Sequence, residues 1–495
     1  MIPSSSIPSN TDVLVIGGGP AGATVASILA RQGIQTAVLE RDAFPRYHIG
    51  ESLLASLIPI LDLIGVGTKV RSHGFVRKPG GFFRWGGETW SFVFDELKGC
   101  PTHSYQVIRA EFDELLLNNA IENGAFVRQE VKVDRIDFEG GRAIAAQYHD
   151  LRSDVCGSVR FKFLVDCSGR SGVIANQYLQ SRRYHHVFKN VALWSYWKDA
   201  RIDGYGLPGS TRLFSLPSGW IWFIPLHDNT ISVGLVLSRD QLKTELSERP
   251  IESIYDDIIQ QHTDASAILK EGMRGDVHME RDYSYTSDKF SGPGYFVCGD
   301  AACFLDPLLS SGVHLAMVSA LTAAASITSV IRGKISEQRA VNFFEASYRR
   351  AYLRFLMLVS SFYDLNRGQA GYFWEAQRLT GKDYAEADLK KAFISVVSGS
   401  ADFDDLRDGN YSTKVMSKFA ERLSENVRIH QMDFDVGDTK VQHNVSFFDT
   451  VNGLYVLKQA DAIDGLYVVT DPAVELAEVS PSPVHQATYA VGASS

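Results

Sequence analysis

The chain has 495 residues, of which 45% are hydrophobic and 22% charged, and its formal net charge is −9. This length allows one large core or two to three interlocked domains, and the negative charge argues against nucleic-acid and anionic-membrane partners. The cysteines form no CxxC pair, which argues against a disulfide framework or a bound metal and favours a reducing cytoplasm; they are Cys100, Cys156, Cys167, Cys298 and Cys303.

The chain opens with the pattern of a βαβ unit. Residues 13–16 form an apolar run of strand length, followed by a glycine-rich turn, an Ala-rich helical stretch and a second strand at 36–39. In the turn, Gly17 permits the tight bend, Gly19 lets the backbone approach a pyrophosphate, and Gly22 allows close helix packing. Glu40 can accept hydrogen bonds from a ribose diol. The residues expected to contact a nucleotide here are Gly17, Gly19, Ala21, Gly22, Glu40 and Arg41.

Farther along the chain, two kinds of pattern alternate. Arg109 opens an amphipathic helix, and 161–166 reads as a buried strand. Between about 185 and 240, apolar and polar residues alternate as in antiparallel strands. A strand at 295–298 then returns the chain to the nucleotide-binding domain. We predict an α/β fold with a Rossmann-like domain at 1–80, 105–185 and 280–345, an interleaved antiparallel-sheet substrate domain at 81–104 and 186–279, a mostly helical region at 346–470, and a loosely ordered tail at 471–495.

One segment has the length of a membrane span. Residues 313–331 contain no Asp, Glu, Lys or Arg, and 19 residues could cross a bilayer. Five Ser and Thr side chains make the segment only mildly apolar, so we expect a buried core helix and no membrane partner. The first 30 residues contain no Lys or Arg, so we expect no secretory signal.

The choice between FAD and NAD depends on a second motif. Gly299-Asp300-Ala301, directly after an apolar strand, resembles the second fingerprint of the FAD-dependent monooxygenase superfamily. The resemblance implies that Asp300 meets the ribityl chain of FAD and that Arg109 lies near the cofactor. No second GxGxxG offers a nicotinamide site. We therefore expect the flavin to be reduced elsewhere, by a separate flavin reductase, and to arrive as FADH2.

Two later motifs narrow the resemblance to flavin-dependent halogenases, over roughly residues 11–400. Residues 220–225 (WIWFIP) resemble the family's WxWxIP element, and 304–312 (FLDPLLSSG) resemble its FxxPxxSxG element. The resemblance implies oxidation of chloride or bromide, with O2, to hypohalous acid. It implies three sets of residues: flavin contacts Pro307, Gly312 and Val313; halide ligands Ser311 and Gly312; and a barrier between flavin and substrate formed by Trp220, Trp222, Ile224 and Pro225.

A lysine is expected to steer the hypohalous acid to the substrate. The setting of Lys78, with Arg77 as the alternative, resembles that of the family's lysine. An ammonium could hydrogen-bond the oxidant, or a neutral amine could form a chloramine. Residues 45–52 also resemble the family segment that passes the flavin ring, with Ser52 as a cofactor contact. His48 there could act as a base, although a structural hydrogen bond is the preferred interpretation; His314 could equally be a core histidine.

The substrate is the least determined feature. The tryptophan-halogenase branch carries Glu where this chain has Leu309, which favours an activated ring such as a phenol. Stretches at 83–86, 313–316, 348–350 and 362–363 resemble halogenases of nonribosomal peptide pathways, implying a tyrosyl group tethered to a carrier protein. An acidic carrier would need a local basic face, with candidates Arg182, Arg183, Arg349, Arg350 and Arg354. Two alternatives stay open: a single-component NAD(P)H-dependent hydroxylase and a non-catalytic flavin-binding scaffold.

Overall fold

A computed structural model describes residues 6–85, 88–96, 101–184, 190–217, 219–243, 245–281, 284–366, 463 and 465–478. The strands, in chain order, are β1 Asn10–Ile16, β2 Thr36–Glu40, β3 Val76–Lys78, β4 Gly80–Trp85, β5 Glu88–Val93, β6 Ser104–Gln106, β7 Phe126–Gln129, β8 Val131–Glu139, β9 Arg142–Asp150, β10 Val155–Asp166, β11 Arg182–Tyr184, β12 Asn190–Lys198, β13 Thr211–Leu216, β14 Gly219–Pro225, β15 Thr230–Ser238, β16 Met273–Arg274, β17 His278–Arg281, β18 Tyr285–Ser287, β19 Ser291–Gly292, β20 Tyr295–Val297, β21 Cys303–Phe304, β22 Leu466–Val469 and β23 Glu475–Glu478. The helices are α1 Pro20–Arg31, α2 Leu57–Leu63, α3 Gly67–Ser72, α4 Arg109–Glu122, α5 Arg239–Leu242, α6 Glu245–Glu248, α7 Ile251–Gln261, α8 Thr263–Leu269, α9 Ser311–Ile331 and α10 Glu337–Asn366.

The first sheet carries the predicted nucleotide-binding domain. Its strand order is β19-β20-β10-β1-β2-β7, and β8 and β9 extend it through β10. The inner pairs β10–β1, β1–β2 and β2–β7 are parallel. Val13, Leu14 and Val15 are fully buried, because a parallel sheet with helices packed on it needs apolar side chains on both faces. This arrangement confirms the predicted α/β, Rossmann-like fold.

The second sheet has the order β16-β12-β15-β14-β13-β4-β5, and β17 pairs with β12. The pairs β12–β15, β15–β14 and β14–β13 are antiparallel as predicted. However, β13 and β4 run parallel, so the predicted antiparallel sheet contains one parallel pair among its described strands. Parallel neighbours need a crossover connection of about a dozen residues or more, and the long stretch of chain between β4 and β13 provides it.

Strand β14 shows how alternation creates two faces. Trp220, Trp222 and Ile224 belong to the main core that faces the first domain. Ile221 and Phe223 point the opposite way, into a second core completed by α7 and α8. Successive side chains of a strand alternate between faces, so the WxWxIP spacing places both indoles on one side.

Helix α9 occupies the centre of the first domain. Within the described residues it is long and apolar enough to cross a bilayer, but 89% of its most apolar window is buried inside the protein. It packs against both α1 and α10. The prediction of a core helix is therefore confirmed for this segment.

The carboxyl-terminal predictions need correction where the chain is described. Helix α10 begins at Glu337, before the predicted boundary at 346. Residues 471–478 are not a loose tail, because β22 and β23 form an antiparallel hairpin. The hairpin is held to α9, where Leu476 N–H donates to Ser329 Oγ at 2.7 Å, and Glu475 pairs with Arg332 at 3.2 Å. Most of the predicted helical region and residues 479–495 lie outside the described residues.

Candidate active site

The glycine-rich turn between β1 and α1 has no space for side chains at two positions. Gly17 has φ of +97°, and a Cβ there would lie 2.3 Å from the Cys167 carbonyl oxygen. A Cβ on Gly22 would lie 1.9 Å from the Gly17 carbonyl oxygen. Helix α1 then begins at Pro20, leaving free N–H groups at its start. The turn has the form that binds a pyrophosphate.

Glu40 connects the end of β2 to this turn. Its carboxylate accepts hydrogen bonds from the Gly18 N–H at 2.5 Å and the Asp42 N–H at 2.7 Å. The side chain is almost fully buried, and each carboxylate oxygen keeps a lone pair for a further donor. Glu40 can therefore hold the turn and a ribose hydroxyl together.

A cavity of about 850 Å³ extends from this turn to the face of the second sheet. Its volume lies in the upper part of the range of about 300–1,000 Å³ that is usual for small-molecule sites. The predicted site residues that line it are Gly17, Gly19, Ala21, Glu40, Arg41, Ser52, Arg109, Trp220, Trp222, Ile224, Asp300, Pro307, Ser311, Gly312 and Val313. Three predicted residues, Gly22, Lys78 and Pro225, do not line it.

Arg109 braces the cavity wall. Its guanidinium donates two hydrogen bonds to Asp113, at 2.8 and 2.9 Å, and one to the Ile49 carbonyl at 3.0 Å. The last bond fixes the 45–52 segment against α4. Asp300 lies at the same cavity, and burial raises its pKa to about 6, although the positive charges of Arg109 and Arg170 oppose this rise. A buried carboxyl group with few hydrogen-bond partners is suited to accept hydrogen bonds from the hydroxyl groups of a ribityl chain.

The start of α9 forms the opposite wall. Ser310 adopts a left-handed conformation with φ of 58°, between the 3₁₀ turn Pro307–Leu309 and the helix. This break directs the first turn of α9, with its unpaired N–H groups, at the cavity through Ser311, Gly312 and Val313. The positive end of the helix dipole favours a small anion here.

The two indoles form a continuous apolar surface on the cavity. The ring centroids of Trp220 and Trp222 are 5.8 Å apart, and both residues are at most 5% exposed. Trp222 Nε1 donates to Ser232 Oγ at 3.2 Å. The structure thus brings the predicted barrier residues together, except for Pro225.

Lys78 is buried behind Ser52. Its Nζ donates to Ser52 Oγ at 2.7 Å and to the Leu53 carbonyl at 3.0 Å. Burial lowers the pKa of Lys78 to about 7. Arg77, the alternative lysine-site candidate, is exposed and bonds to His103 at 3.1 Å. Lys78 is therefore separated from the cavity by one side chain, whereas Arg77 points to the surface.

The two histidines considered from the sequence have structural partners. His48 Nδ1 contacts the Ile49 carbonyl oxygen at 2.6 Å, and burial lowers the pKa of His48 to about 4. His314 is fully buried and bonds to Ser56 Oγ at 2.9 Å. Both observations agree with the structural interpretation of these residues.

The sequence analysis missed a polar group on the cavity wall. Glu51 is 3% exposed, and burial raises its pKa to about 7. Tyr47, Trp194 and His278 form a stack of rings beside it, with centroids 5.3 and 5.5 Å apart. A charged residue in a segment already expected to pass the flavin was the signal that could have identified Glu51.

One group of possible metal ligands exists among the described residues. His73 Nε2 and His227 Nε2 lie 2.6 and 3.1 Å from Glu111 Oε2. None of the three lines the cavity. The expectation that the protein binds no metal stays a prediction.

Comparison with known proteins agrees with this site. The sequence profile of the tryptophan halogenase family matches residues 12–105 and 95–414. A tryptophan 2-halogenase of Chondromyces crocatus is 42% identical over 426 residues, covering 85% of this chain and 80% of the relative. A sulochrin halogenase of Aspergillus terreus is 38% identical over 382 residues, covering 72% of this chain and 69% of the relative.

Solved structures give the same result. The myxobacterial chondrochloren halogenase CndH superposes with a TM-score of 0.69 at 36% identity, covering 79% of this chain and 90% of that one. The flavin-dependent halogenase CmlS gives 0.68 at 32% identity, covering 85% and 78%. The chain therefore belongs to the tryptophan halogenase family of flavin-dependent halogenases, oxidoreductases that use FADH2, O2 and a halide.

Proposed function

We propose that the protein chlorinates or brominates an activated aromatic ring by way of hypohalous acid. The observation that carries this proposal is one cavity bounded by three features: the pyrophosphate turn, the start of α9, and the indoles of Trp220 and Trp222. The first feature suits a dinucleotide, the second a small anion, and the third keeps an organic ring away from the flavin.

The fit to FAD rests on residues of this chain. The turn at Gly17 and the start of α1 would hold the pyrophosphate, and Glu40 and Asp300 would accept hydrogen bonds from its sugar hydroxyls. Bound in reduced form, FADH2 supplies with O2 the oxidising power that converts halide to hypohalous acid. The N–H groups at Ser311 and Gly312 would hold the halide, and the indoles would exclude the substrate ring.

Lys78 is our candidate for directing the hypohalous acid. Its Nζ is fixed by Ser52 and the Leu53 carbonyl, and Ser52 itself lines the cavity. A pKa of about 7 makes both the ammonium and the amine available near neutral pH. The proposal therefore has two forms: the ammonium of Lys78 hydrogen-bonds the hypohalous acid, or its neutral amine reacts with the acid to form a chloramine.

Phenols are the substrate class that we propose to test first. Leu309, at the position where the tryptophan branch has Glu, is a buried apolar residue, so no carboxylate at that position activates an indole. The relatives named above are called tryptophan, sulochrin and chondrochloren halogenases, so indole is the competing class.

A tyrosyl substrate tethered to a carrier protein receives little support from the described residues. Arg354 is 1% exposed, so its assignment to a basic docking face is wrong. Arg183 pairs with Asp288 at 2.9 Å, and Arg349 pairs with Glu345. A carrier-loaded substrate is therefore an arm of the test rather than part of the main proposal.

The experiment combines purified protein, FAD, NADH, a flavin reductase, O2 and chloride, followed by mass spectrometry of the products. Free tyrosine, carrier-loaded tyrosine, a simple phenol and tryptophan are offered separately. We expect chlorine in a product only when the reductase is present. Hydroxylated product with NAD(P)H alone would instead establish the single-component hydroxylase, and flavin binding without turnover of any substrate would establish the scaffold.

A further inference from the structure

Glu51 is a buried carboxyl group on the wall of the flavin cavity. Its carboxyl group lies next to the hydroxyl groups of Tyr196 and Ser232, which are cross-strand partners in β12 and β15. Its second oxygen, Oε2, is buried and has no hydrogen-bond partner among the described residues. Because an unpaired buried carboxylate oxygen is costly, this environment favours the protonated form of the Glu51 carboxyl group.

A chain of hydroxyl groups leads from Glu51 toward solvent. Tyr196 Oη lies 3.1 Å from Tyr47 Oη, and Trp194 Nε1 donates to Tyr47 Oη at 2.7 Å. Because Tyr47 accepts from the indole, its own hydrogen is available for Tyr196, and the Tyr196 hydrogen is then available for Glu51. Tyr47 is 54% exposed. Tyr47 also lines the cavity, and all donors of this chain can point inward, from Tyr47 to the carboxyl group of Glu51.

We propose that Glu51 donates the proton consumed when halide is oxidised in the cavity, and that Tyr47 and Tyr196 restore it from solvent. This inference rests on the proposed function. Per hypochlorous acid formed, FADH2, O2, chloride and one proton yield FAD, hypochlorous acid and one water. Chloride and the reduced flavin each give up two electrons, and O2 takes up four. Each tyrosine passes a proton by accepting one and releasing another, so neither needs to become a phenolate.

The charges around Glu51 fit a donor that works near neutral pH. Burial raises its pKa to about 7, Asp228 adds to this rise, and the positive charge of Arg109 opposes it. The phenols of Tyr47 and Tyr196 are the other titratable groups that face it, and burial raises the pKa of both. A donor whose pKa lies near the working pH is efficient in both giving and regaining its proton.

Infrared difference spectroscopy of the flavin-free protein tests the protonation of Glu51 without any turnover. We expect a carbonyl band of a protonated carboxylic acid that disappears as the pH rises through about 7. The component that titrates near pH 7 should be absent in Glu51→Gln and kept in Tyr196→Phe, whereas Asp300, with a pKa of about 6, should keep its own component in every variant. Glu248→Gln, at an exposed position of α6, is the matched control and should keep both components. The component near pH 7 in Glu51→Gln would overturn the inference.

Single-turnover halide oxidation, read with a soluble trap for hypohalous acid, tests the role in the reaction. In Glu51→Gln we expect a rate lower by about 10²-fold and no fall in rate through pH 7, and in Tyr196→Phe a slower reaction with unchanged FAD affinity. If Glu51→Gln keeps the wild-type rate and pH profile, the proton-donor role of Glu51 is overturned, while the proposed function stands. Absence of trapped oxidant in the wild-type protein would instead overturn the proposed function.

Discussion

Gly234 and Trp222 are cross-strand partners, and a Cβ atom on Gly234 would lie 2.0 Å from Cζ2 of the indole. The indole of Trp222 therefore lies flat over the backbone of β15, with its Nε1 bonded to Ser232. The position of the proposed barrier between flavin and substrate therefore depends on the absence of a side chain at Gly234 in the neighbouring strand.

Gly234→Ala should displace the indole of Trp222. Because the added methyl overlaps the ring, we expect the free energy of unfolding to fall by about 1–3 kcal/mol. The yield of halogenated product per FADH2 should also fall, since the barrier is disturbed. Urea unfolding and product analysis measure the two effects. Gly275→Ala, where the nearest atom is 3.3 Å away, is the control; equal behaviour of the two variants would contradict this account of Trp222.

Gly17→Ala should abolish FAD binding. The new Cβ would overlap the Cys167 carbonyl oxygen at a residue whose φ is +97°, so the turn must open and its N–H groups lose their arrangement. Gly33→Ala is a matched control, since φ there is +78° and no atom of the described part of the chain lies within 4 Å of the new Cβ. We expect Gly33→Ala to lose only about 1 kcal/mol of stability and to keep its FAD affinity. Fluorescence titration with FAD distinguishes the variants.

Arg109→Leu should be more destabilising than the loss of both partners of its ion pair. Asp113 is fully buried, and Arg109 is 5% exposed. Removing the guanidinium leaves a buried carboxylate whose one remaining counter-charge among the described residues is Arg46, at 3.5 Å. We expect a loss of about 3–5 kcal/mol, measured by urea unfolding.

The double variant Arg109→Leu, Asp113→Leu provides the control for that prediction. It should recover part of the loss, because no charge remains unpaired in the core. Equal losses in the single and double variants would contradict the argument.

The sequence predicts the nucleotide turn and the common face of the two indoles because both depend on local rules. Position 17 requires glycine because its φ is positive and the backbone of Cys167 lies too close for a side chain. Alternation along a strand places Trp220 and Trp222 on the same face of β14. Such constraints are visible in a short stretch of residues.

The environment of Glu51 depends instead on contacts made over long distances in the chain. Tyr196 and Ser232 meet it only when β12 and β15 pair and the 45–52 segment crosses them. The hairpin of β22 and β23 has the same origin, because its strands become stable by packing on α9. No local pattern of residues encodes either arrangement.

Lys78→Met should stabilise the flavin-free protein while stopping halogenation. Because the pKa of Lys78 is lowered from 10.5 to about 7, its burial costs stability most below pH 7, and the cost disappears as the pH rises toward 10.5. The pKa difference corresponds to at most about 5 kcal/mol, and Met also loses the two hydrogen bonds of Nζ. The gain in unfolding free energy should therefore be larger at about pH 6 than at about pH 10.

The activity of Lys78→Met distinguishes the steering of hypohalous acid from the oxidation of halide. We expect trapped hypohalous acid at the wild-type rate, with halogenated aromatic product reduced by about 10²-fold or more. Arg77→Met, at the exposed neighbouring position of β3, should keep both activities and show no such pH-dependent gain in stability. Full product formation in Lys78→Met would show that the oxidant reaches the ring without an amine, and the steering role would then have to be given up.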